Sequence, residues 1–327
     1  MSDSTTPTRW IVAGLLFGGV VVISVIVLVA SLRGDGGTGT VEPTTAPSSS
    51  VPPTSATPSS APASTEPANV DVGTVKVQVG AVQRTAVVIA PADSPADARL
   101  PVVVVLHGLG VNANAMSRTA DWRGAVAADQ FIAVFPQGVS DSWNMGPCCP
   151  PANLIGVADP AFLDALVADL TGRADVDPTR MYLSGFSNGA LMAYTYACAH
   201  SETFAAVAPM AGTNVTGCRP SQPLSLLHQH GDADLVVPYA GGVALGSLVS
   251  SAPFPPVQDS VAAWAAADGC DAGPEVRTEE DVVRTTWSGC AAGTRVELVT
   301  VPGKGHEWLK KGSYDPLDEM LGFFGLR

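Results

Sequence analysis

The sequence predicts an α/β fold in which helices flank a mostly parallel central sheet, and two observations support this. Between residues 70 and 327, apolar β-branched runs alternate with segments of helical hydrophobic spacing, which is typical of strands joined by crossover helices. The runs at 101–106 and 131–135 are apolar at every position, as expected for strands buried on both faces. This part of the chain is the right size for one α/β domain.

The individual elements can be assigned in chain order. Residues 75–79 and 84–90 predict an opening β-hairpin, and the two apolar runs predict buried strands. Apolar residues at helical spacing predict a helix over 159–170, beginning with an acidic cap at Asp159 before Pro160. The remaining predicted elements are a strand at 180–184, a helix at 190–199, and strands at 224–230 and 295–301.

The first third of the chain is predicted to lie outside this domain. Residues 10–32 carry no charge and are numerous enough to cross a bilayer, so we expect a single membrane anchor after a cytoplasmic stub at 1–9. A cleaved signal peptide, which would leave the protein secreted, is the competing interpretation, but its apolar core is shorter, about 7–15 residues. Residues 34–69 are rich in Pro, Ser and Thr and predict an unfolded linker. The catalytic domain would then span 70–327.

The charge balance limits the partners. The formal net charge is −13, from 17 basic and 30 acidic residues. Because binding to phosphates needs clustered basic residues, a nucleic-acid partner is not expected.

All six cysteines lie in the predicted domain, and an even number fits disulfides formed in an oxidising compartment. This places the domain outside the cytoplasm. Cys148 and Cys149 are neighbours that could bond to each other only with strain, so each is expected to pair with a distant cysteine, with Cys270 and Cys290 as the remaining pair. The distant cysteines are then Cys198 and Cys218, in an order that the sequence leaves open. A metal–thiolate site is the competing interpretation, but no CxxC spacing supports it.

A candidate nucleophile lies between a predicted strand and a predicted helix. Residues 185–189 read Gly-Phe-Ser-Asn-Gly, and a tight strand–turn–helix bend presents a serine hydroxyl to a base and to an oxyanion site. Glycines at both ends relieve the crowding of such a bend because they lack a Cβ. Ser187 is therefore the predicted nucleophile.

The chain has five histidines from which a base can be chosen. His306 lies in a loop after the strand at 295–301, where catalytic bases are commonly carried. His107 follows a buried strand and is assigned a structural role, and His200 is interpreted as a helix C-terminal charge. If the chain order is Ser, Asp, His, the acid is Asp232 or Asp234, and the spacing alone does not choose between them.

Several motifs in this order resemble those of the secreted polyhydroxybutyrate depolymerase and feruloyl esterase family of α/β-hydrolases. They are Val105-Leu106-His107-Gly108, Trp143-Asn144 with Cys148-Cys149, 185–189, His230-Gly231-Asp232-Ala233-Asp234 with Val237-Pro238-Tyr239, and Gly305-His306-Glu307-Trp308. The resemblance implies Ser187, Asp234 and His306 as the catalytic residues, with Asp234 preferred to Asp232. It further implies the backbone N–H groups of Leu109 and Asn188 as oxyanion donors, although family members often have a cysteine at position 109. Trp143, Asn144 and Trp308 would flank the substrate.

The sequence thus predicts a serine esterase that works through an acyl-enzyme and needs no cofactor or metal. Its substrates would be small esters, polyester oligomers or acylated polysaccharides. Three alternatives remain: a wall-tethered binding module without activity, an acyltransferase or peptidase using the same residues, and a two-metal hydrolase. The last rests on His228, His230 and Asp232, and the pattern lacks its final histidine because Ala233 stands there.

Overall fold

One ten-stranded sheet forms the centre of the domain in the computed structural model, which describes residues 69–95, 97–146, 148–243, 250 and 252–327. The strands are β1 (Val70–Val79), β2 (Val82–Pro91), β3 (Leu100–Leu106), β4 (Ile132–Pro136), β5 (Val176–Phe186), β6 (Ala206–Met210), β7 (Ser225–Gly231), β8 (Ala272–Thr278), β9 (Val283–Ser288) and β10 (Val296–Val301). The helices are α1 (Ala113–Met116), α2 (Trp122–Asp129), α3 (Asp159–Thr171), α4 (Asn188–Ala199), α5 (Val257–Ala267) and α6 (Pro316–Phe323).

The sheet is parallel at its centre and antiparallel at its edges. Its strand order is β1-β2-β4-β3-β5-β6-β7-β10-β9-β8. Strands β4, β3, β5, β6, β7 and β10 pair in parallel, whereas β1 and β2 at one edge and β9 and β8 at the other pair antiparallel. Because parallel strands all end at the same edge of a sheet, the loops after β5, β7 and β10 lie on one side.

Helices cover both faces of the sheet. Successive side chains of β3 point to opposite faces, so that Val102 and Val104 join one core cluster while Val103 and Val105 join the other. The first cluster receives side chains from α3, α4 and α5, and the second from α1, α2 and α6. Burial on both faces explains why β3 and β4 are apolar at every position.

The structure confirms the α/β class and the mostly parallel sheet. Each predicted strand and helix has an observed counterpart, with bounds that differ by up to five residues. The predicted anchor at 10–32 and linker at 34–69 lie outside the described residues. Among the residues that are described, no helix is both long and apolar enough to cross a membrane.

The predicted acidic cap of α3 is wrong. Ala158 occupies the N-cap position, and no side chain caps this end of the helix. Asp159 instead is fully buried, where its carboxylate accepts a hydrogen bond from Arg84 at 2.9 Å and another from the backbone N–H of Asn144 at 2.8 Å. These partners are needed because an unpaired buried charge is costly.

The expected pairing of Cys148 and Cys149 with distant cysteines is also wrong. These two neighbours form a disulfide with each other. Cys198, near the end of α4, is bonded to Cys218 in the loop after β6, so neither is free to reach the buried loop that carries the vicinal pair. The predicted bond between Cys270 and Cys290 is confirmed.

Candidate active site

Ser187 occupies the sharp bend between β5 and α4. Its backbone has φ 56° and ψ −120°, a conformation that is strained for a residue with a side chain and that is typical of a nucleophile presented at a tight turn. A Cβ on Gly185 would fall on the carbonyl of Gly189, and a Cβ on Gly189 would fall on the carbonyl oxygen of Leu106. Both glycines are therefore required by close backbone approaches.

His306 reaches Ser187 from the loop after β10. Its Nε2 lies 2.8 Å from the Ser187 Oγ, and its ring lies against that of Phe186 with centroids 5.2 Å apart. The His306 Nδ1 lies 2.7 Å from the Asp234 Oδ2. Since a carboxylate only accepts hydrogen bonds, Nδ1 carries the proton and Nε2 offers its lone pair to the serine hydroxyl. This is the arrangement a general base requires.

Asp234 is held rigidly in the loop after β7. Its Oδ1 accepts hydrogen bonds from the backbone N–H groups of Val236 and Val237, at 2.8 and 2.9 Å. Burial raises the pKa of this carboxyl, but hydrogen bonds from His230 and His306 outweigh burial and hold the pKa well below its ordinary value. Asp234 is consequently ionised across the working pH range of ordinary enzymes.

The geometry separates the two candidate acids. Asp232 turns away from His306, and its Oδ1 accepts a hydrogen bond from the backbone N–H of Gly303 at 2.6 Å. Only Asp234 contacts the imidazole among the described acidic residues. Asp232 instead holds the loop that carries His306.

The turn after β3 lies beside the serine. A Cβ placed on Gly108 would be 3.4 Å from the Ser187 Cβ. Within the described part of the chain, neither the backbone N–H of Leu109 nor that of Asn188 has a hydrogen-bond acceptor. The buried His107 connects this turn to the loop after β4, because its Nε2 accepts a hydrogen bond from the N–H of Gly138 at 2.8 Å. Burial lowers the pKa of His107 and keeps its ring neutral.

The three expected substrate contacts take different positions. Trp143 is fully buried and donates its Nε1–H to the His107 carbonyl at 2.9 Å. Its backbone N–H and carbonyl are hydrogen-bonded to the Asn188 side chain. The expectation that Trp143 lines a substrate pocket is therefore wrong. The Asn144 side chain is hydrogen-bonded within its own loop, where it donates to the Val157 carbonyl and accepts from the Gly146 N–H. Trp308 is half-buried, two residues after His306, and packs against the core.

Sequence reasoning missed a set of supporting polar residues. His230 Nε2 lies 3.3 Å from the Asp234 Oδ2, and its Nδ1 lies 3.0 Å from the Nε2 of His228. The available signal was the spacing, because residues i and i+2 of a strand share a face and the two rings must therefore be neighbours. Those rings interact with each other, and the described residues contain no group of three or more His, Cys, Asp or Glu side chains arranged to hold a metal ion.

Fold and site together define an α/β-hydrolase with a hydrogen-bonded serine, histidine and aspartate at the ends of its parallel strands. The likeness extends to solved structures: acetyl xylan esterase from Aspergillus awamori superimposes with a TM-score of 0.55 over 78% of this chain and 100% of its own, at 15% identity. At that identity the likeness concerns the fold alone.

The chain belongs to the family described as "Putative esterase", whose model matches residues 81–300. "Putative esterase NocK" from Nocardia uniformis subsp. tsuyamanensis is 33% identical over 227 residues, which are 64% of this chain and 65% of that protein. Feruloyl esterase B from Piromyces equi is 30% identical over 235 residues, 68% of this chain. The chain spans only 42% of this second relative.

Proposed function

We propose that this chain is a serine carboxylic-ester hydrolase that works through an acyl-enzyme on Ser187. The observation that carries the proposal is the continuous hydrogen-bonded line from the Ser187 Oγ through His306 to Asp234, with contacts of 2.8 and 2.7 Å. A serine hydroxyl is a weak nucleophile unless a neighbouring base removes its proton, and this line supplies the base together with its orienting carboxylate.

The reaction has two halves. The Ser187 Oγ bonds to the ester carbonyl carbon as His306 Nε2 takes the hydroxyl proton, and the backbone N–H groups of Leu109 and Asn188 receive the oxyanion. The bond to the alcohol then breaks, and His306 returns the proton to the alcohol oxygen. Water repeats the attack on the acyl-enzyme with His306 as base, releasing the acid and restoring Ser187. The ionised Asp234 stabilises the imidazolium in both halves.

For substrates, we propose acyl and aryl esters carried on polysaccharides. This is supported by the family membership and by the similarity to Feruloyl esterase B and to "Bifunctional acetylxylan esterase/xylanase XynS20E" from Neocallimastix patriciarum, which is 26% identical over 209 residues. The half-buried Trp308, close to His306 in the chain, offers an aromatic surface for an acyl group. Polyhydroxybutyrate oligomers are the second substrate class, supported by the motif resemblance alone.

We also propose that the domain works outside the cytoplasm, tethered by residues 10–32. Three disulfides in the described residues support an oxidising compartment. Cleavage of the apolar segment would give a secreted form, and the apparent mass of the mature chain in the membrane and medium fractions distinguishes the two forms.

Replacement of the nucleophile tests the function. With the full chain and p-nitrophenyl acetate, Ser187→Ala is expected to lower kcat by about 10⁴-fold or more, and to abolish labelling by a fluorophosphonate. Ser184→Ala is the matched control, since the Ser184 hydroxyl bonds only to the Ala208 carbonyl and not to the site. Its activity should persist, at a stability cost of about 1 kcal/mol.

Other outcomes identify the alternatives. A folded wild-type chain that neither turns over esters nor accepts the fluorophosphonate would indicate a binding module. Retained activity of Ser187→Ala, with loss on addition of a chelator, would indicate a metal hydrolase. Labelling combined with acyl transfer to an added alcohol or amine in preference to water would indicate a transferase or peptidase on the same residues.

A further inference from the structure

A line of buried polar side chains runs behind Asp234, away from the serine. His228 and His230 come from β7 and Tyr194 from α4, and all three are 0% exposed. The Tyr194 hydroxyl lies 2.8 Å from the His228 Nδ1, and the His228 Nε2 lies 3.0 Å from the His230 Nδ1. The His230 Nε2 lies 2.9 Å from the Val237 carbonyl oxygen and 3.3 Å from the Asp234 Oδ2. The proposed acyl-transfer chemistry uses none of these three groups.

The end of this line fixes where its protons lie. The His230 Nε2 faces two oxygens that only accept, the Val237 carbonyl and the Asp234 carboxylate, so Nε2 must carry a proton. In a neutral His230 the Nδ1 is then an acceptor, which requires the Nε2 of His228 to donate. The His228 Nδ1 in turn accepts the hydroxyl proton of Tyr194. Every donor points towards Asp234, and no proton is missing or in excess when all three groups are neutral.

The electrostatics agree with this assignment. Burial lowers the pKa of His228 well below its ordinary value. Burial likewise raises the pKa of Tyr194 well above its ordinary value. Both groups are neutral near pH 7, as the proton directions require.

We propose that His230 is a positioning residue for Asp234, and that His228 and Tyr194 hold His230 in the tautomer that donates. The inference rests on the proposed function, because it assigns a task only if Asp234 serves His306. The Asp234 Oδ1 is already held by two backbone N–H groups, and its Oδ2 is shared between His306 and His230. His230 therefore supplies the second bond that fixes the oxygen on which His306 is oriented.

Removing this donor has a predictable electrostatic effect. A carboxylate that loses a hydrogen-bond donor becomes more basic and stabilises the neighbouring imidazolium more strongly. The acid limb of the pH profile of kcat/KM is therefore expected to move to higher pH.

Other charged and titratable groups surround this line and His306. Lys304 and Glu307 lie in the loop that carries His306, and they form an ion pair with each other at 3.5 Å. Beyond this line, the ring of Tyr239 lies 5.8 Å from that of His230, and its hydroxyl is bonded to Thr300 on β10. Trp264 of α5 packs edge-on against Tyr194. His306 itself contacts Asp234, Ser187 and the Phe186 ring. A purely structural role for His230 would leave the acid limb unmoved.

Two substitutions of His230 separate donation from packing. In the full chain, His230→Leu removes the donor that fixes the Asp234 Oδ2, and the poorer orientation of His306 is expected to outweigh the gain in basicity. We expect kcat to fall by about 10- to 100-fold with little change in KM, and the acid limb to shift upward. His230→Gln keeps an N–H that can reach Asp234 and should recover kcat to within about fivefold of wild type, with the acid limb restored. Equal kcat values and acid limbs for the Leu and Gln variants would overturn the proposal. His200→Gln is the matched control, because His200 lies beside Asp164 and outside this line.

A milder pair tests the outer link, and it remains informative if His230→Leu does not fold. Tyr194→Phe removes only the hydroxyl that donates to His228 and is expected to lower kcat by about two- to fivefold. Tyr196→Phe, on the same helix, removes a hydroxyl that donates to Asp164 and should leave kcat unchanged. Equal kcat values for the two variants would refute the link through His228.

Nitrogen-15 NMR of the wild-type chain reads the tautomers directly, since there are only five histidines to assign. The hydrogen bonds place one proton on each ring, at the Nε2 of both His228 and His230. Protonation of either ring at Nδ1, or an imidazolium, would contradict the proposal. The Ser187→Ala variant separates failure of this inference from failure of the proposed function. If Ser187→Ala retains activity, the esterase function is overturned. If Ser187→Ala is inactive but His230→Leu has the kcat and acid limb of wild type, only the role proposed for His230 is overturned.

Discussion

Replacing Asp234 by asparagine is the substitution whose effect the structure predicts most fully. The Asp234 Oδ1 faces two backbone N–H donors, and Oδ2 faces N–H donors of His306 and His230, so the site presents donors on both sides. An asparagine has only one acceptor oxygen, and its amide nitrogen must face donors whichever way it turns. If the nitrogen faces His306, the ring switches to the tautomer with a proton on Nε2, which can no longer accept the serine proton.

The expected loss follows from this tautomer. Asp234→Asn should lower kcat by about 10³- to 10⁴-fold with KM nearly unchanged, which corresponds to about 4–5.5 kcal/mol of transition-state stabilisation. The assay is steady-state hydrolysis of p-nitrophenyl acetate by the full chain at pH 7–8, with circular dichroism to confirm folding.

Asp232→Asn is the matched control for this experiment. Its new side-chain oxygen can still accept the Gly303 N–H, so kcat should stay within about twofold of wild type. Retention of more than a tenth of wild-type kcat by Asp234→Asn, or an equal loss in Asp232→Asn, would show that Asp234 is not the acid that orients His306.

Two further predictions concern the fold around the site. Gly189→Ala places a Cβ on the carbonyl oxygen of Leu106, so it should lower the free energy of unfolding by about 1–3 kcal/mol and abolish turnover. Gly73→Ala is the control, because nothing lies within 4 Å of the added Cβ. Equal melting temperatures for the two variants would contradict the contact between Gly189 and Leu106. The pKa of Asp234 is lower in the folded than in the unfolded chain, so the stability it adds is present above about pH 4 and is lost as the pH falls towards the folded-state value. The melting temperature of wild type should therefore fall more steeply below pH 4 than that of Asp234→Asn, and parallel curves would contradict this.

Sequence reasoning succeeded where burial alone dictates the pattern. β3 and β4 are covered on both faces, so each of their positions is apolar and the strands are unmistakable. By contrast, β8 is exposed at every position and reads Ala-Gly-Pro-Glu-Val-Arg-Thr, with no alternation that could identify it before its antiparallel pairing with β9 is seen. Edge strands of this kind are determined by their partners rather than by their own sequence.

The site shows the same division. The bend at Ser187 could be predicted because its steric requirement is local: the close backbone approaches leave no room for a Cβ at Gly185 or Gly189. The choice between Asp232 and Asp234 could not be made from spacing, since it depends on how the loops after β7 and β10 meet in space. Trp143 was expected to contact substrate, but an apolar ring with one N–H serves equally well in a core, and the structure buries it.

The predicted pairing of Cys148 and Cys149 was wrong for a related reason. The prediction weighed the strain of a bond between neighbours but could not weigh distances between distant residues. Cys198 is bonded to Cys218, with Cα atoms 6.1 Å apart, and Cys270 is bonded to Cys290, so no described cysteine remains for Cys148 and Cys149 other than each other.

A crystal structure of the full chain after reaction with diethyl p-nitrophenyl phosphate would show whether Ser187 is the nucleophile. The proposed mechanism predicts phosphorus bonded to the Ser187 Oγ, with the phosphoryl oxygen within about 3.1 Å of the backbone nitrogens of Leu109 and Asn188. The His306 ring should remain bonded to Asp234. Phosphorus on another residue, or a phosphoryl oxygen turned away from both nitrogens, would contradict it.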